Sequence, residues 1–218
     1  TLSLLAPSRF ILGIGAGWKR DEYLSYGYEF PEASDRVQAL EEGVQIIRKM
    51  WTEKVVYFHG RHYDIAGAYC FPKPNPIPPI MIGGGGEKLM LRVVASHADW
   101  WNCPNPTVEE YGHKLEVLKR HCEKVRRSYE SIKKTWLGCI AIAKNEDDAL
   151  GIARNSPFVV KETRFDSMRA TIIGNPERVS RRLAEFVDLG AEYFIFRFLD
   201  FPSTTGIELF MEKVAGNL

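Results

Sequence analysis

The residues best suited to chemistry in this chain are glycines. Gly83, Gly84, Gly85 and Gly86 stand together where the apolar run "PPIMI" gives way to the helix-like "EKLMLRVVASH". A second small-residue run, Gly15, Ala16 and Gly17, closes "RFILGIG" and leads into Trp18. Each glycine costs roughly 0.5–1 kcal/mol in a regular element relative to alanine, so four together weaken any strand or helix they enter. One reading of Gly83–Gly86 is a tight turn, although one or two glycines make a turn. The other is an anion site, in which bare backbone N–H groups approach a phosphate and the following helix adds the positive end of its dipole. Spacing alone leaves both open. Gly86 is followed by Glu87 and Lys88, so the segment is neither a Walker loop nor a strict GxGxxG.

Other chemistries find little support. The cysteines (Cys70, Cys103, Cys122, Cys139) lie far apart with no CxxC, which speaks against a zinc site or a disulfide framework and fits a reduced cytoplasm. The histidines form no HExxH, and His59 and His62 read as surface residues of a short hairpin. With 29 Lys+Arg against 28 Asp+Glu, the charge carries no footprint for nucleic acid or an anionic membrane. No apolar run approaches the ~20 residues that span a bilayer.

The elements that must position the glycines follow from periodicity. Residues 9–15, 79–83, 98–102, 134–143 and 192–199 read as strands. Between them, "RVQALEEGVQIIRKMW" repeats apolar residues at helical spacing, with Ser34 or Asp35 as its cap. Further helices are expected over 87–96, 107–128, 146–154 and 204–216, and one after Asn175-Pro176 that stops at Gly190. "KVVYFHGRHYDI" alternates as a β-hairpin, and "FPKPNPIPPI" is an extended connector. Alternating strands and helices imply parallel strands, whose carboxyl edge is where ligands bind. The opening "TLSLLAPS" reads as the end of a helix, as if the chain began within an element.

In series, "RFILGIGAGWKRDEY", "RVQALEEGVQIIRKMWTEKVVYFHGRHYDI", "PKPNPIPPIMIGGGGEKLMLRVVASHADWWN" and "TIIGNPERVSRRLAEFVDLGAEYFIFRF" resemble the bacterial luciferase-like flavin and deazaflavin family, in the branch that uses coenzyme F420. The resemblance implies an α/β fold, a (β/α)8 TIM barrel of which this chain, 1–218, holds one partial domain with an insertion at about 53–78. On that plan the present strands are the family's fourth to eighth. The first three are absent, a deficit of roughly 90–100 residues against a typical barrel.

The resemblance also implies a function: an oxidoreductase using F420 by hydride transfer at the deazaflavin, or reduced FMN as a monooxygenase. It would be cytoplasmic and homodimeric and act on a small molecule. Gly83–Gly86 would hold the cofactor's phosphate, and Gly15, Ala16 and Gly17 would lie under its ribityl or ring region. Trp18 matches the family's "GW…E" and is a pocket candidate, whereas Glu22 reads as a structural partner for a helix end or an arginine. "ADWWN" has Trp100 where the family commonly has glycine, and the inward candidate is Trp101. Arg197 sits in an apolar run, where a buried arginine needs an anionic partner, from a substrate or another strand. Lys161 and Arg164 are expected to be solvated or to belong to a covering loop. The family's acid or base comes from strands absent here, so no catalytic residue is assigned. A non-catalytic flavin-binding or structural partial barrel is the alternative.

Overall fold

The computed structural model describes residues 1–157 and 167–217; Lys161 and Arg164 lie outside the described residues. The chain divides into two compact units, one of Thr1–Trp101 with Val117–Ile132, the other of Asn102–Glu116 with Lys133 onward.

The first unit opens with α1 (Leu2–Leu5), β1 (Leu12–Gly15), α2 (Arg20–Ser25) and α3 (Ala33–Thr52). The hairpin strands β2 (Val56–His59) and β3 (Asp64–Ala68) follow, then β4 (Ile80–Gly83) and α4 (Met90–His97). β1 and β4 are parallel, with Leu12, Gly13, Ile14 and Gly15 opposite Ile80, Met81, Ile82 and Gly83. Ile80 and Ile82 are fully buried, as are Leu91, Val93, Val94 and Ala95 of α4. α3 contributes Val37, Leu40 and Val44, the stripe its spacing predicts.

Two helix starts in this unit differ from the sequence expectation. α3 starts earlier, with Glu32 extended before it, so Ser34 and Asp35 lie inside the helix rather than capping it. Asp35 sits in the first turn, where its charge suits the dipole, and pairs with Arg61 at 3.1 Å. α4 begins at Met90 rather than at 87. A ring nitrogen of His121 contacts the Glu87 carbonyl at 2.8 Å, and the Leu91 N–H bonds Gly86 O at 3.0 Å, which leaves 87–89 as a turn.

The hairpin is antiparallel, as expected. Glu42 of α3 holds its tip by accepting the backbone N–H groups of Arg61, His62 and Tyr63 at 2.9, 2.9 and 3.1 Å. Lys73 anchors the proline-rich connector by donating to the carbonyls of Met50 and Glu53.

β5 (Trp100–Pro104) and α5 (Val108–Val125) each run across the boundary between units. In the second unit the long β6 (Lys133–Ile142) precedes α6 (Glu146–Asn155) and α7 (Ser167–Ala170). Next come β7 (Ile172–Gly174), α8 (Pro176–Asp188), β8 (Tyr193–Phe198) and α9 (Thr205–Lys213). β7 and β8 both pair with β6, and both pairings are parallel. β7 was not among the expected strands, because three residues are too few to show a period. α8 is capped as the sequence predicts: Asn175 accepts the Arg178 N–H at 3.0 Å, Pro176 is the first helical residue, and Gly190 has φ +100°. Trp136 packs against Phe186, Phe194 and Phe196 with ring centroids 5.2, 6.0 and 5.9 Å apart. A Cβ on Gly138 would stand 2.2 Å from the Trp136 ring, so the glycine is what admits the indole.

Candidate functional site

The two glycine runs, 68 positions apart by register partner, meet in the first unit. Parallel pairing sets Gly15 directly opposite Gly83 and Gly13 opposite Met81, so both runs leave from the same carboxyl edge. Side chains alternate across a strand. One face of this pair therefore carries Leu12, Ile14, Ile80 and Ile82, while the other carries Gly13, Gly15, Gly83 and the single side chain of Met81. That second face is a strip of almost bare backbone, and Gly13 and Gly15 are exposed on it. A Cβ on Gly83 would have only Ile14 O nearby, at 3.9 Å, so protein packing does not demand a glycine there. A Cβ on Gly15 would come within 3.3 Å of Gly83 O. Such a strip admits a flat group closer to the backbone than any side chain would allow.

Beyond the strip both exits need glycine for conformational reasons. Gly17 has φ +73°, and a Cβ there would meet the Tyr23 hydroxyl at 2.2 Å. Gly84 has φ +146°, and its Cβ would stand 2.9 Å from Met90 Cγ. The Gly83–Gly86 turn is set by Trp101, whose indole N–H donates to the Gly84 carbonyl at 2.8 Å. Trp101 is completely buried. In this arrangement it turns no surface to solvent, and its indole acts on the turn. Trp100, the alternate residue, is partly exposed. Asp99 ties the start of β4 to the same segment by accepting the Ile80 N–H at 2.8 Å and Arg48 at 2.6 Å.

Ala16 is half-buried, and Trp18 projects into solvent at 68% exposure. Glu22 pairs with Lys19 at 3.3 Å within the first turn of α2, so its partner is a lysine rather than an arginine. Arg197 lies in the second unit opposite Cys139 and is exposed, not buried. A buried countercharge is therefore not required of it. Burial raises the Cys139 thiol pKa, with Arg197 pulling the other way. Burial also pushes Cys103 up to about 12, so neither thiol is an activated nucleophile. Among the described residues, no group of three or more His, Cys, Asp or Glu could hold a metal ion.

Sequence reasoning missed Tyr23, Arg36 and Asp99, whose partners lie 7, 19 and 19 positions away. Nothing in their local pattern distinguishes them from surface polar residues.

Residues 1–161 match the model of the luciferase-like monooxygenase family. The chain belongs to this family. It is 24% identical over 219 residues to the F420-dependent glucose-6-phosphate dehydrogenase of Amycolatopsis mediterranei (strain U-32), covering 90% of this chain and 66% of that one. It is 36% identical over 218 residues to the enzyme of the same name from Microbacterium testaceum (strain StLB037), covering 90% and 65%. The chain thus spans slightly less than two thirds of these relatives. An F420-dependent secondary alcohol dehydrogenase, solved in complex with an F420-acetone adduct, superposes with a TM-score of 0.86 at 17% identity, over 100% of this chain and 72% of that one. The fold is therefore a partial luciferase-like barrel, α/β with a parallel sheet.

Proposed function

We propose that this chain is the cofactor-holding part of an F420-dependent oxidoreductase that removes hydride from an alcohol carbon, with reduced FMN and monooxygenation as the alternative. The observation that carries the proposal is the bare strip Gly13–Gly15–Gly83 ending at two glycine turns. Its fit to a flat tricyclic ring with a phosphate-bearing tail is chemical. The strip accepts the ring or ribityl at backbone distance, and Gly83–Gly86 supply N–H groups next to the amino end of α4. Gly15, Ala16 and Gly17 border the ring region. Bound there, the deazaflavin supplies the hydride acceptor, and the protein supplies binding, orientation and exclusion of water. Trp101 positions the phosphate turn, while Trp18 is a substrate-side candidate on the same unit. The acid or base that takes the alcohol proton is assigned to no residue of this chain.

The relatives support a dehydrogenase over a monooxygenase, since those named above are dehydrogenases of glucose 6-phosphate or a secondary alcohol. A single partial-barrel domain over 1–218 and a cytoplasmic homodimer belong to the same proposal. The solved neighbour that covers the whole chain supports the first. Exposed aromatics on the insertion, Tyr57, Tyr69 and Phe71, suit a contact with a second copy. No helix among the described residues is long and apolar enough to cross a membrane.

The test is to mix the protein carrying this chain with F420 and either glucose 6-phosphate or a secondary alcohol, and follow cofactor reduction by absorbance. Reduction with either donor is expected. Cofactor binding without turnover by any donor, or with FMN as oxygen activator, would instead support the non-catalytic binder.

A further inference from the structure

The loop leaving β1 is held by side chains that the proposed chemistry does not use. Tyr23 of α2 donates its hydroxyl to the Ala16 carbonyl at 3.4 Å. Arg36, in the first turn of α3, donates Nε to the Gly17 carbonyl at 3.3 Å and an Nη to the carbonyl of Pro31. Its guanidinium lies 3.9 Å from the centre of the Phe30 ring. Phe30 in turn meets Tyr23 edge to face, with centroids 5.1 Å apart. Two consecutive carbonyls are thus gripped by two donors that are joined to each other through one aromatic ring.

We infer that Tyr23, Phe30 and Arg36 form a latch that fixes the Gly15–Gly17 backbone in its cofactor-competent shape, with Arg36 as the positioning residue; this rests on the cofactor reading above. Unlatched, a Gly-Ala-Gly segment visits many conformations. Only the fraction with Gly17 at φ +73° and the two carbonyls engaged by Tyr23 and Arg36 would bind. Apparent affinity falls in proportion to that fraction. Stacking on Phe30 fixes the plane of the guanidinium, so that Nε and Nη reach two different carbonyls at once, a geometry lysine cannot reproduce. Arg36 is only half-buried, so removing it leaves no buried unpaired charge, and its loss should register in binding before it registers in folding.

The test compares wild type, Arg36→Met, Arg36→Lys and Tyr23→Phe in the protein carrying this chain. Each is titrated with F420 and with FMN, melted, and probed by amide hydrogen exchange over residues 15–18 without cofactor. Arg36→Met is expected to weaken binding by about tenfold, the effect of a competent fraction reduced to a tenth. It should speed exchange in the loop and leave the melting temperature unchanged. Arg36→Lys should fall between Arg36→Met and wild type, and Tyr23→Phe should show the smaller loss. If wild type binds a cofactor and Arg36→Met binds it equally well, or weakens only in step with its melting temperature, the latch is merely a brace and the inference fails. If wild type binds neither cofactor, the functional reading fails and the positioning role with it.

Discussion

Gly17 and Trp101 show how single residues shape the site. Gly17 sits at φ +73° with a hydroxyl where a Cβ would go. Gly17→Ala should therefore cost on the order of 1–3 kcal/mol of stability through backbone strain alone, and more if Tyr23 is displaced; urea unfolding measures it, and a neutral result would refute the geometry. Trp101→Phe keeps the buried ring but leaves the Gly84 carbonyl without its 2.8 Å donor. A loss of about 1–3 kcal/mol is expected, with looser cofactor binding. The sequence exposed the glycines but not their meeting, because the Gly15–Gly83 register is a long-range fact that local composition does not encode. It also named Trp101 as the inward candidate. Alternation said only that Trp100 and Trp101 face opposite ways, and burial decides which one is covered.

At the scale of elements, α3 and α4 are joined by Glu41, which takes Arg92 at 2.7 and 3.0 Å and His97 at 3.4 Å. Burial works to raise the Glu41 pKa, but the Arg92 hydrogen bonds and the neighbouring charges outweigh it and hold the carboxyl below its usual 4.5. Burial dominates at His97 and lowers its pKa below 6.5, against the pull of Glu41. At neutral pH their contact is thus a hydrogen bond from a neutral imidazole rather than an ion pair. Both folded pKa values lie below the unfolded ones, so both contributions are full above those values and are lost as pH falls. Stability should decline from pH 6.5 downward as His97 is forced to charge, and again below 4.5 as Glu41 is protonated. His97→Gln should flatten the upper slope in a series of melts across pH, and stability unchanged between pH 7 and 5 in wild type would contradict this.

Glu42 is the second joint. Glu42→Gln keeps one acceptor oxygen for three N–H groups, so the hairpin tip should exchange amides faster at residues 61–63 while the rest of the unit holds. Elements with local signals were legible: the Asn175-Pro176 cap, the Val37–Leu40–Val44 stripe and the hairpin. The start of α4 and the existence of β7 were not. His121 and β6, distant in sequence, set them.

For the whole molecule, the family was readable from motifs in series because they are spaced along nearly the entire chain, and residues 1–161 match the family model. Under the proposed function, the glycine strip receives the cofactor. Gly83 offers a clean trial, because a Cβ there meets nothing in the protein closer than 3.9 Å and its backbone is not in the left-handed region. Gly83→Ala should fold as well as wild type while placing a methyl on the strip. The measurement is a titration of wild type and Gly83→Ala with F420 and with FMN, beside melting curves for both. Unchanged melting is expected, with an affinity for the bound cofactor weakened by about 1–3 kcal/mol, the range for overpacking a close contact; equal affinity in the two proteins would contradict the cofactor role of the strip.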